Sequence, residues 1–338
     1  LFPDNKPLEV FDLKSATFVG ELPGMGPWTN MWYRDYWYLK QSYWLLRWDG
    51  TNHIFVEKWN GTQFTRQGAV TTLTTGKHPD WVAFDPVRRI VAWNELTLSN
   101  SVFLVSLASP SRRIELKSEI AGLGPTSFIQ NGKIMVTIDP LDTVLRFWNV
   151  DTRQIVMTLQ EPIRSAVWAM GGSVVVTLAA ASQSDHDIRF YDIDHPDKLP
   201  RRIHSRYEPI QLDVSPDSRI VAVTTEGRAV RLCDAATGEL IEDLPGQLNS
   251  AGGVAFSNDG HRLIAANVGG PDTIRLWDVD TRQLLLTLPG NGPVPTTACW
   301  STDGDTILAG TPWQAWRAPS WEEIAAAEAN DKTKSWQP

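Results

Sequence analysis

The chain has 338 residues, of which 42% are hydrophobic and 21% charged, and its formal net charge is -8. These are the proportions of an ordinary globular protein, and no apolar run approaches the length of a membrane-spanning helix, so helical membrane insertion is excluded. With a pI near 5.3 the chain is not built for broad nucleic-acid binding, although a local basic face is compatible with that balance.

In chain order, the first predicted element is Leu8-Glu9-Val10-Phe11-Asp12-Leu13, a strand-like run around Phe11, followed by a second run from Ala16 to Leu22. An aromatic band comes next. Six of the sixteen tryptophans lie between Trp28 and Trp59. Alternation along Tyr43-Trp44-Leu45-Leu46-Arg47-Trp48 places Trp44, Leu46 and Trp48 on one face of a strand and Tyr43, Leu45 and Arg47 on the other. Large aromatics can fill the wedges between packed sheets, and exposed ones dominate binding hot spots. Trp28, Trp32, Tyr36 and Trp37, at or near a predicted strand end and tight turn, are the candidate partner-binding residues.

Beyond this band a short pattern returns: an apolar-basic-apolar run, an aromatic or similar anchor, then often Asp or Asn. It appears as Leu145-Arg146-Phe147-Trp148-Asn149, Ile188-Arg189-Phe190-Tyr191-Asp192, Val230-Arg231-Leu232-Cys233-Asp234 and Ile274-Arg275-Leu276-Trp277-Asp278. The same register is present at Phe11, Trp59, Val105 and Trp316. The eight anchors are separated by 48, 46, 43, 43, 42, 44 and 39 residues. After an anchor, a polar turn such as Asp151-Thr152-Arg153-Gln154 or Ala235-Ala236-Thr237-Gly238 leads into another apolar run, which is the pattern of a hairpin. About ten residues on, a second hairpin bends at Ser215-Pro216-Asp217-Ser218, Ser257-Asn258-Asp259-Gly260 or Ser301-Thr302-Asp303-Gly304, with Asp85-Pro86-Val87-Arg88 and Gln130-Asn131-Gly132-Lys133 in the same role. Each repeat is therefore four short strands, and its length is that of one propeller blade.

These residues resemble the WD-repeat β-propeller family over roughly residues 8 to 318. Trp277-Asp278 is the family's dipeptide, the upstream Ser-Pro-Asp and Ser-Asn-Asp-Gly turns are its companions, and Gly76-Lys77-His78-Pro79-Asp80-Trp81 is a Gly-His-like element. The repeats are degenerate, with Asn149 in place of Asp and Cys233 in place of Trp, and they depart from the family's buried tetrad of His, Ser or Thr, Trp and Asp. The expected fold is all-β: a seven-bladed propeller closed by pairing of N-terminal and C-terminal strands, with blades at roughly 26-70, 71-116, 117-160, 161-203, 204-244, 245-288 and 289-318 plus 8-22. Leu8 to Leu13 competes with Gln314 to Trp316 for one place in the last blade. Ser320 followed by Glu323 begins a capping-box helix within a C-terminal segment, 319-338. That segment resembles the end of the C-terminal propeller in large bacterial, planctomycete-type signalling proteins.

Little in the chain points to catalysis. There is no Walker-type loop, nucleophile elbow, paired-histidine metal helix or Cys-x-x-Cys pair, and no cofactor is expected. Asp185-His186-Asp187 could orient an imidazole toward a metal, but a solvated turn explains it better. Asn60-Gly61-Thr62 matches a glycosylation sequon and also the polar turn after an anchor. Cys233 and Cys299 are expected to be free core thiols. The chain begins at Leu1 with no secretory leader, which suggests a processed form or part of a longer polypeptide, with the cytoplasm favoured. The resemblance implies a non-catalytic scaffold that docks a protein or peptide through rim loops, with Trp59, Trp148, Tyr191, Cys233, Trp277, Asp278 and Trp316 as structural anchors. A ligand-sensing module of a larger signalling protein is the alternative. A propeller hydrolase holding a channel metal through Asp139, Asp142, Asp185, Asp187, Glu226 or Asp272 is a third.

Overall fold

Short runs of β-branched, aromatic and leucine residues, punctuated by Asp, Gly, Pro and Ser turns, make twenty-eight strands among the described residues of the computed structural model. It describes residues 9-12, 17-21, 44-48, 52-59, 64-71, 82-94, 100-118, 124-139, 144-160, 163-179, 186-227, 230-244, 250-268, 273-289, 298-301, 304-309 and 314-318.

Strand β1 (Glu9–Asp12) pairs with β2 (Thr17–Glu21), and β3 (Trp44–Trp48), β4 (His53–Trp59) and β5 (Phe64–Thr71) form a three-stranded sheet. Five four-stranded sheets follow. The first two are β6 (Val82–Asp85), β7 (Ile90–Trp93), β8 (Ser101–Ser106), β9 (Arg113–Lys117), and then β10 (Gly124–Ile129), β11 (Ile134–Asp139), β12 (Val144–Asn149), β13 (Ile155–Leu159). The next is β14 (Ile163–Ala169), β15 (Val174–Ala179), β16 (Asp187–Asp192), β17 (Arg201–His204), with a 3-10 turn at Met170–Gly172. Then come β18 (Pro209–Val214), β19 (Ile220–Thr225), β20 (Val230–Asp234), β21 (Leu240–Leu244), and β22 (Ser250–Phe256), β23 (Arg262–Val268), β24 (Thr273–Asp278), β25 (Leu284–Pro289). A three-stranded sheet of β26 (Ala298–Trp300), β27 (Thr306–Ala309) and β28 (Gln314–Arg317) ends the described chain. Every sheet is an antiparallel meander in sequence order.

The burial pattern explains why these sheets assemble. Strands β7 and β8 and most of β12 and β16 are buried on both faces, whereas the outer strands β9 and β21 alternate between exposed and covered residues. A strand buried on both sides needs a neighbour on each, and the neighbours are the adjoining sheets. Leu104 and Leu116 of one sheet pack with Met135, Trp148 and Val150 of the next, Met157 and Leu159 with Tyr191 and Ile193, and Leu244 with Trp277 and Val279. Each outer strand thus packs on the anchor of the following sheet. The first strands also meet, β6 against β10, β14 against β18, β18 against β22 and β22 against β26. Each fully buried large side chain in these wedges contributes about 1.5–3 kcal/mol.

The anchors hold the predicted place. Eight sheets carry one each, on β1, β4, β8, β12, β16, β20, β24 and β28. A bulge falls immediately before the anchor where β12, β20 and β24 meet their outer strands, increasing the local twist there. The expected pairing of the two chain ends is not seen among the described residues. Residues 17 to 21 pair with β1, Glu9 opposite Glu21 and Asp12 opposite Thr17, rather than with Gln314–Arg317. A hairpin closing over residues 13-16 loses little chain entropy, whereas pairing with the last sheet closes a loop of nearly the whole chain. Among the described residues no sheet joins strands from both ends.

Candidate interaction surface

Two kinds of short turn alternate along one face of these sheets: inner turns between first and second strands, and outer turns between third and fourth. In the outer turns the residue after the anchor is a cap. Asp278 Oδ1 accepts from the Thr281 N–H and hydroxyl, Asp234 Oδ1 from the Ala236 and Thr237 N–H groups, and Asp192 Oδ1 from Asp194 and His195. Asn149 accepts from Asp151 and Thr152 through its amide oxygen at 3.0 and 2.9 Å, so the Asn substitution keeps the geometry. These bonds hold the carboxyl groups of Asp278 and Asp234 below the ordinary aspartate range, chiefly through the Thr281 and Thr237 N–H groups respectively.

The inner turns use a serine. Ser215 Oγ donates to Asp217 Oδ1 at 2.6 Å and accepts from the Ile220 N–H at 2.9 Å, and Ser257 repeats the arrangement with Asp259 and Arg262. The Ser215 hydroxyl is the main cause of a lowered pKa at Asp217. Where the turn begins with Asp85, its carboxylate accepts from the Val87 and Arg88 N–H groups instead.

Neighbouring turns are bonded across the sheets. Arg88 donates from Nη1 to the Gly132 carbonyl and from Nη2 to Asp151 at 2.6 Å. Gln130 donates to Asp194, Met170 N to the Ser218 carbonyl, and Asn258 to the Ser301 carbonyl. Trp300 Nε1 reaches back to the Ala255 carbonyl, and the Phe256 N–H reaches Asp213 of the preceding sheet at 2.7 Å. This belt fixes the turns of successive sheets relative to one another, so their exposed side chains are presented from a rigid frame.

Beneath the turns the anchors vary in a chemically readable way. Trp148 is buried and donates from Nε1 to Thr137 Oγ1 at 2.9 Å. Thr177, opposite Arg189 as Thr137 is opposite Arg146, lies in a sheet whose anchor is Tyr191, and its hydroxyl has no hydrogen-bond partner among the described residues. A tyrosine ring has no indole N–H to offer. No family model matches the chain. An uncharacterised WD repeat-containing protein of Synechocystis sp. is 27% identical over 135 residues, covering 39% of this chain and 37% of that protein. WD repeat-containing protein 82 of Drosophila melanogaster is 24% identical over 169 residues, covering 46% of this chain and 50% of that protein. Both relatives are WD repeat-containing proteins, and the repeats of this chain are similar to theirs. The Trp148–Thr137 pair is similar to the Trp and Ser or Thr pair of the WD-repeat tetrad. The matches span half or less of the relatives' own length.

Of the anchors, Trp148, Cys233 and Trp277 are fully buried, Tyr191 is buried, and Trp316 is half-buried beside the cluster of Trp300 and Ile307. Trp59 lies on β4 opposite Phe64. Trp28, Trp32, Tyr36 and Trp37 lie outside the described residues, as do Gly76 to Trp81, Asn60 to Thr62 and the segment 319-338. From the aromatic band, Trp44 is half-buried and packs on Phe84 of the next sheet, ring centroids 5.0 Å apart, with Lys58 above it at 5.3 Å. Asp187 lies on β16 opposite His204. Its carboxylate meets His204 Nδ1 across the outer strand at 3.0 Å. Among the described residues no group of three or more His, Cys, Asp or Glu is placed to hold a metal ion. Neither Cys233 nor Cys299 is in a disulfide; Cys233 is buried and Cys299 half-buried rather than in the core.

One set of residues escaped the sequence reading. Arg146, Arg189 and Arg275, two places before their anchors, are buried between sheets, and Arg231 at the same place meets Asp243 across the outer strand at 3.0 Å. The basic residue in the repeated motif was visible, but its alternation with apolar neighbours gave no sign that it faced inward with the anchor.

Proposed function

We propose that this protein is a non-catalytic interaction scaffold, and that its sheets form a seven-bladed ring whose ends meet at the outer edge of β28. The observation that carries the scaffold reading is the belt of bonded turns: Arg88 on Gly132 and Asp151, Gln130 on Asp194, Asn258 on Ser301. A surface pre-ordered in this way loses little conformational entropy when a partner docks. The chain acts in this reading as the docking or sensing part of a larger signalling assembly, in the cytoplasm, with a protein or peptide as partner. The WD-repeat relatives support the architecture, and the sheet-on-sheet packing supports the ring.

The test is cross-linking of the full chain in an extract of its native host, followed by hydrogen exchange on the reconstituted pair. A stoichiometric partner that slows exchange at turn residues 86-89, 107-112, 130-133 or 150-154 is expected. Metal-dependent turnover of a small ester or lactone, with no partner retained, would overturn the reading.

A further inference from the structure

The turn-bearing face distributes its charge unevenly. On the sheets β6–β9 and β10–β13, Arg112, Lys133 and Arg153 are exposed and have no ion pair or side-chain hydrogen bond among the described residues. Around the ring the cations are paired. Lys198 meets Asp192 at 3.8 Å, Arg219 meets Asp217 at 4.0 Å, Arg262 meets Asp259 at 3.5 Å and Arg282 meets Glu242 at 2.9 Å.

The three free cations share one surface. The Leu107 N–H donates to the Arg89 carbonyl and the Val150 N–H to the Lys133 carbonyl, joining inner and outer turns within each sheet, and Arg88 bridges the two sheets through Gly132 and Asp151. Arg153 shows why its guanidinium is unspent. Arg153 and Arg282 occupy the same turn place, with φ of 63° and 62°, where Gly238 stands in another repeat. Arg282 finds Glu242 on the preceding outer strand, opposite Leu232; the matching residue before Arg153 is Ile114, opposite Leu104. An arginine is thus held in a conformation that favours glycine, without an internal partner.

We propose that Arg112, Lys133 and Arg153 form the docking site for an extended, acidic segment of a partner protein, its carboxylates bridging the three cations. This rests on the scaffold reading and names the chemistry of the partner. A long polyanion such as RNA is a poorer fit, because exposed Asp194, bonded to Gln130 at 3.0 Å, and Asp197 bound the basic sector on the next sheet. A second copy is also poorer, since the carboxylates Asp192, Asp217 and Asp259 are already paired with cations of their own chain.

The experiment is fluorescence anisotropy of the full chain with a short labelled Glu/Asp-rich peptide, at low and physiological salt. Saturable, salt-sensitive binding is expected, falling about tenfold when Arg112→Ala, Lys133→Ala and Arg153→Ala are combined, the sum of three modest exposed charge contacts. Lys198→Ala with Arg219→Ala should leave binding unchanged, and thermal melts of both variants should match the parent. Equal loss in the two variants, no loss in the triple variant, tighter binding of single-stranded RNA than of peptide, or salt-sensitive self-association abolished by the triple variant would each overturn the proposal. If the peptide does not bind but the cross-linked partner is retained, the partner chemistry falls and the scaffold stands; loss of both removes the scaffold reading too.

Discussion

Thr137 and Thr177 face the same problem, a hydroxyl buried between sheets, and differ chiefly in what the following anchor offers, Thr137 also making a long 3.5 Å bond to the Arg146 carbonyl. Thr137 is 0% exposed and its Oγ1 accepts from Trp148 Nε1 at 2.9 Å; Thr177 is 1% exposed and its Oγ1 has no partner among the described residues. Valine replaces either threonine with nearly the same shape. At Thr137 the change strands a buried indole N–H, a penalty of about 1–3 kcal/mol, of which the added methyl offsets less than about 1 kcal/mol. At Thr177 it removes a hydroxyl that is desolvated without compensation, so Thr177→Val should stabilise by about 1 kcal/mol. The two substitutions are therefore expected to move the urea midpoint in opposite directions at unchanged m-value. A cycle with Trp148→Phe should give a coupling of about 1 kcal/mol to Thr137→Val and none to Thr177→Val. If both valines destabilise alike, Thr177 has a partner and the argument that the anchor's N–H decides the value of the threonine is refuted.

Turn geometry, pH and thiol chemistry give three more expectations. Arg153→Gly should stabilise the fold by up to about 1 kcal/mol of relieved left-handed backbone strain, read as a slightly raised melting temperature, while Gly238→Ala should lower that temperature, because φ there is +70° and a Cβ would sit 3.0 Å from Arg201 Cβ. The caps Asp217, Asp234 and Asp278 have folded-state pKa values below the ordinary 3.8. Their contribution is therefore whole above that value and is lost as pH falls through the lower folded-state values, so acid unfolding followed by circular dichroism should begin below pH 3.8 and shift upward in Asp217→Ala. Burial pushes the Cys233 thiol up to about 12, so Ellman's reagent at mildly alkaline pH should modify it only after unfolding.

The repeats were legible because their signals are local. An anchor with Asp or Asn after it needs only the next three residues to cap a turn, and Ser215-Pro216-Asp217-Ser218 closes on itself through Ser215 Oγ. Window-by-window reading recovers such features. Pairing between chain ends is not local, and nothing in Thr17 to Glu21 distinguishes an edge for β28 from an edge for β1. Burial of Arg146, Arg189 and Arg275 was equally hidden, because a basic residue between apolar ones looks solvent-facing until both faces of the strand are known to be covered. The cations of the proposed docking site needed the structure for another reason. Arg153 and Arg282 stand in nearly identical turns, Asp-Thr-Arg-Gln, and only the outer strand of the preceding sheet, Ile114 in one case and Glu242 in the other, separates a free charge from a spent one.

The same comparison explains the most apolar exposed strand among the described residues. Leu284, Leu285 and Leu286 on β25 are all exposed, Leu286 by 48%, whereas Met157, facing the same way from β13, is 8% exposed against Val175, Tyr191 and Ile193. Two places past the anchor stands a residue beside the preceding outer strand: Val150, Ile193 and Val279 in their sheets, Ala235 beside the polar strand β17, and Ala318 in the last sheet, where the preceding outer strand is leucine-rich. A methyl group covers too little of a leucine. Leu286→Glu should therefore cost less than about 0.5 kcal/mol, the range of an exposed substitution, and should reduce aggregation on heating, measured by light scattering. Glu242 already occupies the matching position on β21 and is tolerated there. Met157→Glu buries a carboxylate against Tyr191 and Ile193 and should cost more than about 3 kcal/mol. Equal penalties at the two sites would mean that the outer strand of β22–β25 is covered as fully as that of β10–β13, and that the small residue at 318 leaves no gap.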